Sequence, residues 1–375
     1  MRVELPYGAQ RYPVELGGRD VQLVEAATLP PAPPVEVLLE RALGSVRLAG
    51  RRVTLIVSDP SRREPRDAFV RALRDRLPNA AWTIAVATGT HGPCRIEDLG
   101  LSDEALRGAT VVNHDGHRPD DLVELGVTAR GTPIRVHRCV VDTDIVIATG
   151  CIRPHYFAGF GAGVKAIFPG LGEAAAIRIN HRFKTEPDAR AGVYVGNPCR
   201  DDLEDAVTRI PTPMFLVNGV CRPDDQLETV VAGDVIGAFR EGAAIAKQLF
   251  TVRARPSSLV IASDALPIAA SLYQSAKIAA AVAPLVAANG TLVVVAECRD
   301  GVGPLDVVNE AILRIGVLPR LAPGVRLVLV SSLGEAVTKQ TLLDYAPSVD
   351  AILATTSGPI TIVPRASQLI CEPES

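Results

Sequence analysis

At 375 residues, 47% hydrophobic and 22% charged, the chain is too apolar for disorder and longer than one core usually supports, so two domains with a ligand cleft between them are expected. A formal net charge of −3, with no Lys/Arg block interleaved with aromatics, argues against nucleic acid and for a small-molecule partner. The opening MRVELPYGAQRYPVEL lacks the basic start and apolar core of a secretory signal, and no run of about 18 apolar residues occurs, so no membrane helix is expected and the chain reads as cytoplasmic.

In chain order, the proline cluster LPPAPP near Leu29 reads as a stiff loop, and the β-branched run 53–57 as a buried strand. A helical pattern over 68–77 follows, then strands over 83–87 and 144–148, each ending in a polar or Gly-bearing turn. This alternation predicts an α/β fold with mostly parallel sheets flanked by helices. Helices are expected over 172–179 and 234–249, and the polar segment TVRARPSS, 251–258, marks a boundary between domains at 1–252 and 256–360. Beyond it SLVIASD, TLVVVAE, VRLVLVSS and DAILATT read as four strands of an open doubly wound sheet, and a tail over about 360–375 is free to return to the first domain. The seven cysteines are odd in number and scattered without a CxxC pair, which fits reduced thiols and not a zinc cluster.

Chemistry-bearing residues gather where these strands end, the usual place for a ligand in an α/β sheet. After the first strand, SDPSRREP puts Asp59, Ser61 and Arg62 on a turn that can hold an anion, although the same residues also suit an ordinary helix cap with a surface ion pair. ATGTHGP places His91 on a strand-end loop, suited to acid/base work or simply to solvent. The run GCIRPHYFAGFGAGVKAIFPGLG, 150–172, packs six glycines around His155 and Lys165; such density is costly in chain entropy unless backbone must approach a bulky ligand. It matches neither the GxxxxGK[ST] phosphate loop nor the GxGxxG fingerprint, which disfavours a plain NAD-linked dehydrogenase. His181, in INHRF, suits a transition-metal ligand or a packed histidine. In LYQSAK, Gln274 and Lys277 share a helix face beside Tyr273, which suits two donors on a carboxylate or a solvated surface.

Together, DPSRREP, GTHGP, PHYFAGFGAGVKAIFPG, the later NH, LYQSAK and VVVAEC resemble, in this order, the motifs of the nickel-pincer-dependent lactate racemase family of 2-hydroxyacid racemases and epimerases. The resemblance implies an interdomain site holding nickel and a pyridinium-3,5-bisthiocarboxylic acid mononucleotide, covalently linked through Lys165, with His181 as the protein ligand of nickel. It implies His91 and His155 as paired acid/base residues, and Arg62, Tyr273, Gln274 and Lys277 as substrate-binding groups. Asp59, Ser61, Gly159, Gly161 and Gly163 would border the cofactor. The implied reaction inverts C2 of a small 2-hydroxy acid by hydride transfer, and cofactor-synthesis enzymes are implied as partners. The alternatives are a sugar-acid 2-epimerase using the same cofactor, or a non-catalytic protein that binds the cofactor or a 2-hydroxy acid. Malate-like diacids are a further option if Arg153, Arg178 or Arg182 meets a second carboxylate. Ser61 stands where the family's pattern has threonine and Ala162 where it has glycine; Gly92 and Val164 stand where arginine is common, which removes two cations.

Overall fold

Val53 to Val57 are five consecutive buried side chains, as a strand covered by helices on both faces requires. In the computed structural model, which describes residues 1–374, they belong to Arg52–Ser58 at the middle of a six-stranded sheet. Its spatial order is Leu227–Gly233, Met214–Cys221, Ile145–Ile152, Arg52–Ser58, Ala81–Ala87, Thr110–Asn113, and only the first pair is antiparallel. From Arg52–Ser58 the chain builds outward to one side through residue 113, then crosses and builds to the other side from Ile145. The order therefore reverses between Arg52–Ser58 and Ile145–Ile152, whose carboxyl ends are the place where a sheet of this topology receives a ligand. Helix Arg66–Arg74 buries Phe69, Val70 and Leu73 on one side of its axis, the spacing of a single helix face.

This sheet and its helices form one unit, Leu29–Leu249; the other comprises Met1–Thr28 and the residues from Phe250 onward. The second unit has a mostly parallel sheet in the order Asp344–Tyr345, Arg326–Val330, Val286–Val295, Ser257–Ala265. Ser257–Ala265 also pairs with Ile360–Val363 along its first half and with Arg2–Gly8 at its end. Along these strands alternate residues serve opposite faces: Val260, Ala262, Leu292 and Val294 join one apolar cluster, and Leu259, Ile261, Val293 and Val295 the other.

Four expectations change. Residues 1–28 belong with the second unit, because Arg2–Gly8 adds to Ser257–Ala265 and Val21–Leu23 adds to Ile360–Val363. The tail stays in that unit too, since Ile370–Pro373 pairs in parallel with Thr251–Ala254. The expected linker 251–258 is consequently strand at both ends; a polar, Pro-bearing segment is compatible with a short edge pairing. DAILATT is not a strand: Val349–Leu353 is a helix whose start is capped by the Ser348 hydroxyl, 3.2 Å from the Ala351 amide. Val349 and Ile352 are one helical turn apart and both pack on the sheet, and so short an apolar run does not reveal its period. Among the described residues no helix is long and apolar enough to cross a membrane.

Candidate active site

In the unit Leu29–Leu249, the turn after Arg52–Ser58 is held by Arg66, a buried guanidinium whose Nε donates to the Ser58 carbonyl at 2.8 Å and whose Nη2 donates to the carbonyls of Asp59 and Arg62. Carbonyls gathered on one planar cation fix the path of the turn. Asp59 is buried, with Oδ1 accepting from the Ser61 amide at 2.8 Å and Oδ2 facing His91 Nδ1 at 3.0 Å. Burial alone would raise this carboxyl, but the hydrogen bonds from His91 and Ser61 outweigh it and hold it at about 2. Asp59 thus anchors His91, whose side chain is 55% exposed. Ser61 and Arg62 are exposed beside them.

The His91 loop is tied to the glycine-rich run, because the Gly89 amide donates to the Gly170 carbonyl at 2.9 Å. That run is not loose. It continues Ile145–Ile152, turns through the two-residue strands Pro154–His155 and Gly159–Phe160, and closes in a 3-10 turn, Gly163–Ala166. Gly159 has φ +72°, and a Cβ there would sit 1.9 Å from the Val193 carbonyl oxygen, so this glycine serves internal packing of the hairpin. Ala162, at the position where a glycine was expected, takes φ 59°, a strained conformation for a residue with a Cβ.

Three side chains that the sequence did not single out hold this run. Asn197 donates to the Phe157 carbonyl at 2.9 Å, Asn218 accepts from the Gly163 amide at 2.8 Å, and Arg200 donates to the carbonyls of Phe160 and Ala162 while stacking 4.0 Å above the Phe239 ring. Arg200 is fully buried, and this burial lowers it to about 10 despite Glu204 and Asp201 nearby. The Asn-Pro start of helix Pro198–Thr208 was a visible capping signal. That its Arg200 points inward was not, since Arg in a mixed-polarity helix usually faces water.

Phe157 joins the remaining groups. His155 packs edge-on against it at 4.6 Å, His181 lies at 5.0 Å, and Lys165 Nζ stands 5.5 Å from its ring centre. Lys165 is half-buried; desolvation, then the guanidinium charges of Arg200 and Arg62, pull its amine down to about 7. Burial, with Lys165 and Lys184 nearby, pushes His181 down to about 3, so its imidazole is neutral. Helix Ala174–Asn180, which presents His181, is moored by Asn180 to Asp202 at 2.9 Å, and Asp202 also accepts from Thr128 and Thr132. Among the described residues no three His, Cys, Asp or Glu side chains are grouped to hold a metal ion. Arg153 is paired with Asp225, which also holds Arg63 at 2.8 Å, while Arg178 and Arg182 are exposed.

Asp59, Ser61, His91, Arg62, His155, Lys165, His181 and glycines 159, 161 and 163 all lie in this unit. Tyr273, Gln274 and Lys277 lie in the other, on helix Leu272–Val282, capped by Ser271. Lys277 Nζ donates to Gln274 Oε1 at 2.5 Å, and Tyr273 is exposed.

Residues 7–192 match the family model of the lactate racemase N-terminal domain. The chain is 27% identical over 346 residues to a lactate racemase of Thermoanaerobacterium thermosaccharolyticum, covering 83% of this chain and 81% of that protein. It is 29% identical over 283 residues to a lactate racemase of Lactiplantibacillus plantarum, covering 72% and 66%. The fold is similar to that of the T. thermosaccharolyticum lactate racemase apoprotein, with a TM-score of 0.85 and 23% identity over 99% of this chain and 100% of that one. A Thermotoga maritima protein has a similar fold at a TM-score of 0.69 and 15% identity, over 92% of this chain and 100% of its own.

Proposed function

The chain belongs to the lactate racemase family and is an isomerase of hydroxy acids, and on that premise we propose that it interconverts the enantiomers of lactate or of a 2-hydroxy acid of similar size. The observation that carries this reading is the grouping around Phe157 of His155, a cation-crowded Lys165 amine and a neutral His181, with Arg62 close enough to depress the same amine.

A C2–H of a hydroxy acid is weakly acidic and hard to remove as a proton, so a hydride route is favoured: losing it as hydride, while the hydroxyl gives up a proton, leaves a planar 2-oxo acid that can be reduced on either face. In this reading His91 and His155 serve the hydroxyl proton, one for each enantiomer, and Arg62 holds the carboxylate. The residues present fit a nickel-pincer nucleotide: an amine near 7 is about half unprotonated at neutral pH, so Lys165 would be the residue to carry the thioamide link, and a neutral imidazole at 181 suits nickel. When bound, that group supplies a ring that takes up the C2 hydrogen as hydride and returns it. Because Arg153 is engaged by Asp225, a second carboxylate on the substrate would have to be met by Arg178 or Arg182 instead. The resemblance also assigns Tyr273, Gln274 and Lys277 to substrate binding.

The test uses protein produced together with the cofactor-synthesis enzymes and checked by intact mass and nickel content. Chiral chromatography should show D- and L-lactate interconverting, with C2 deuterium retained in the product. His91→Ala and His155→Ala should each lower the rate by about 100-fold or more. Loaded, nickel-bearing protein that leaves lactate and its close analogues unchanged would refute the proposal.

A further inference from the structure

The two imidazoles given to the hydroxyl proton are held by opposite kinds of partner. His91 Nδ1 faces Asp59 Oδ2 at 3.0 Å. Asp59 is ionised, and a carboxylate only accepts, so the facing nitrogen carries the hydrogen and Nε2 is left with a lone pair. His155 Nδ1 lies 3.2 Å from the Ala158 backbone nitrogen. An amide N–H only donates, so this Nδ1 holds the lone pair, and the neutral ring carries its hydrogen on Nε2. Each arrangement is built into the local chain: Asp59 is locked by the Ser61 amide at 2.8 Å, and Ala158 is buried in the turn of the Pro154–His155 hairpin.

We propose that the resting enzyme presents its two histidines in opposite tautomers, His91 as a proton acceptor through Nε2 and His155 as a hydrogen-bond donor through Nε2, with Asp59 and the Ala158 amide as the positioning groups. The chemical consequence rests on the reading that both rings serve one substrate. An enantiomer whose hydroxyl faces His91 can give up its proton at once. Its mirror image meets an N–H at His155 that holds its hydroxyl oxygen, and that ring must first move its hydrogen from Nε2 to Nδ1 through solvent, breaking the hydrogen bond from Ala158; in the opposite direction His155 gives its Nε2 hydrogen to the new hydroxyl while Nδ1 takes one from solvent and His91 releases the one it gained, so the protons balance over a turnover. The equilibrium constant between enantiomers is unity, so kcat/KM is the same in both directions. The asymmetry therefore appears as a lower kcat and a proportionally lower KM for one enantiomer.

The experiment begins on the apoprotein labelled with 15N-histidine, recorded at about pH 8 to keep the rings neutral, with the signals assigned through His91→Asn and His155→Asn. His91 should carry hydrogen on Nδ1 and His155 on Nε2. Asp59→Asn turns an amide toward His91 and should shift that ring alone toward the Nε2–H form. Both rings in one tautomer, or a His91 signal unmoved by Asp59→Asn, would overturn the proposal. On loaded enzyme, kcat for the two enantiomers should differ several-fold with KM following, and Asp59→Asn should reduce that difference. Equal kcat values in active enzyme would overturn the kinetic consequence. Opposite tautomers in a protein without racemase activity would sink the assignment of function and leave the tautomers standing.

Discussion

Lys165 offers a direct check on the electrostatics of the site, because its reactivity can be read without any bound cofactor. Its amine drops from the ordinary lysine value of 10.5 to about 7, chiefly by desolvation and then by the nearby charges of Arg200 and Arg62. At pH 7 about half of it is neutral, against roughly one part in 3,000 for an ordinary lysine, a ratio of about 1,500. A less basic nitrogen is also a weaker nucleophile; with a Brønsted slope of about 0.4–0.5 this takes back roughly 30-fold, leaving a net advantage of about 50-fold. Trace labelling with acetic anhydride and peptide mass spectrometry should find Lys165 acylated tens of times faster than the exposed Lys339 at pH 7, with a rate that levels off above about pH 8. Replacing Arg62 by methionine should move that plateau to higher pH. The same displacement sets the sign of a stability effect. A lysine depressed in the fold costs most where it is forced to be charged, so its penalty is full below pH 7 and fades as pH rises toward 10.5. Lys165→Met should accordingly be more stable than the parent at neutral pH, with the gap closing as pH rises. Labelling of Lys165 no faster than Lys339, or a profile still climbing beyond about pH 9, would refute the reasoning.

Arg200→Met should cost about 2–4 kcal/mol in urea unfolding, because the carbonyls of Phe160 and Ala162 lose a buried charged donor, and it should also shift the Lys165 labelling profile upward. Gly159→Ala forces a Cβ against the Val193 carbonyl in a left-handed conformation; a loss of at least about 2 kcal/mol with faster amide exchange in the hairpin is the expected result, and an unchanged unfolding midpoint would contradict it.

Much of the architecture was legible along the chain because strands in a sheet covered on both faces announce themselves locally. The run 53–57 is apolar at nearly every position, and the polar turns that follow such runs mark where ligands bind. The motifs around Arg62, His91, His155, Lys165 and His181 could be read as a set through their order along the chain and the resemblance they carry together, since most of them alone also suit a cap, a solvated loop or a packed histidine.

What the amino-acid order determined unaided was therefore the α/β class, together with a set of candidate residues at the ends of its strands. Contacts across long separations decided the rest: Asp59 on His91 over 32 positions, Arg200 on Phe160 over 40, and the opening strand Arg2–Gly8 laid beside Asp264. Nothing in a local period says which distant partner completes a hydrogen bond or which edge a terminal strand will cover. Those choices follow from burying polar groups only where partners exist, a condition met by the folded chain as a whole.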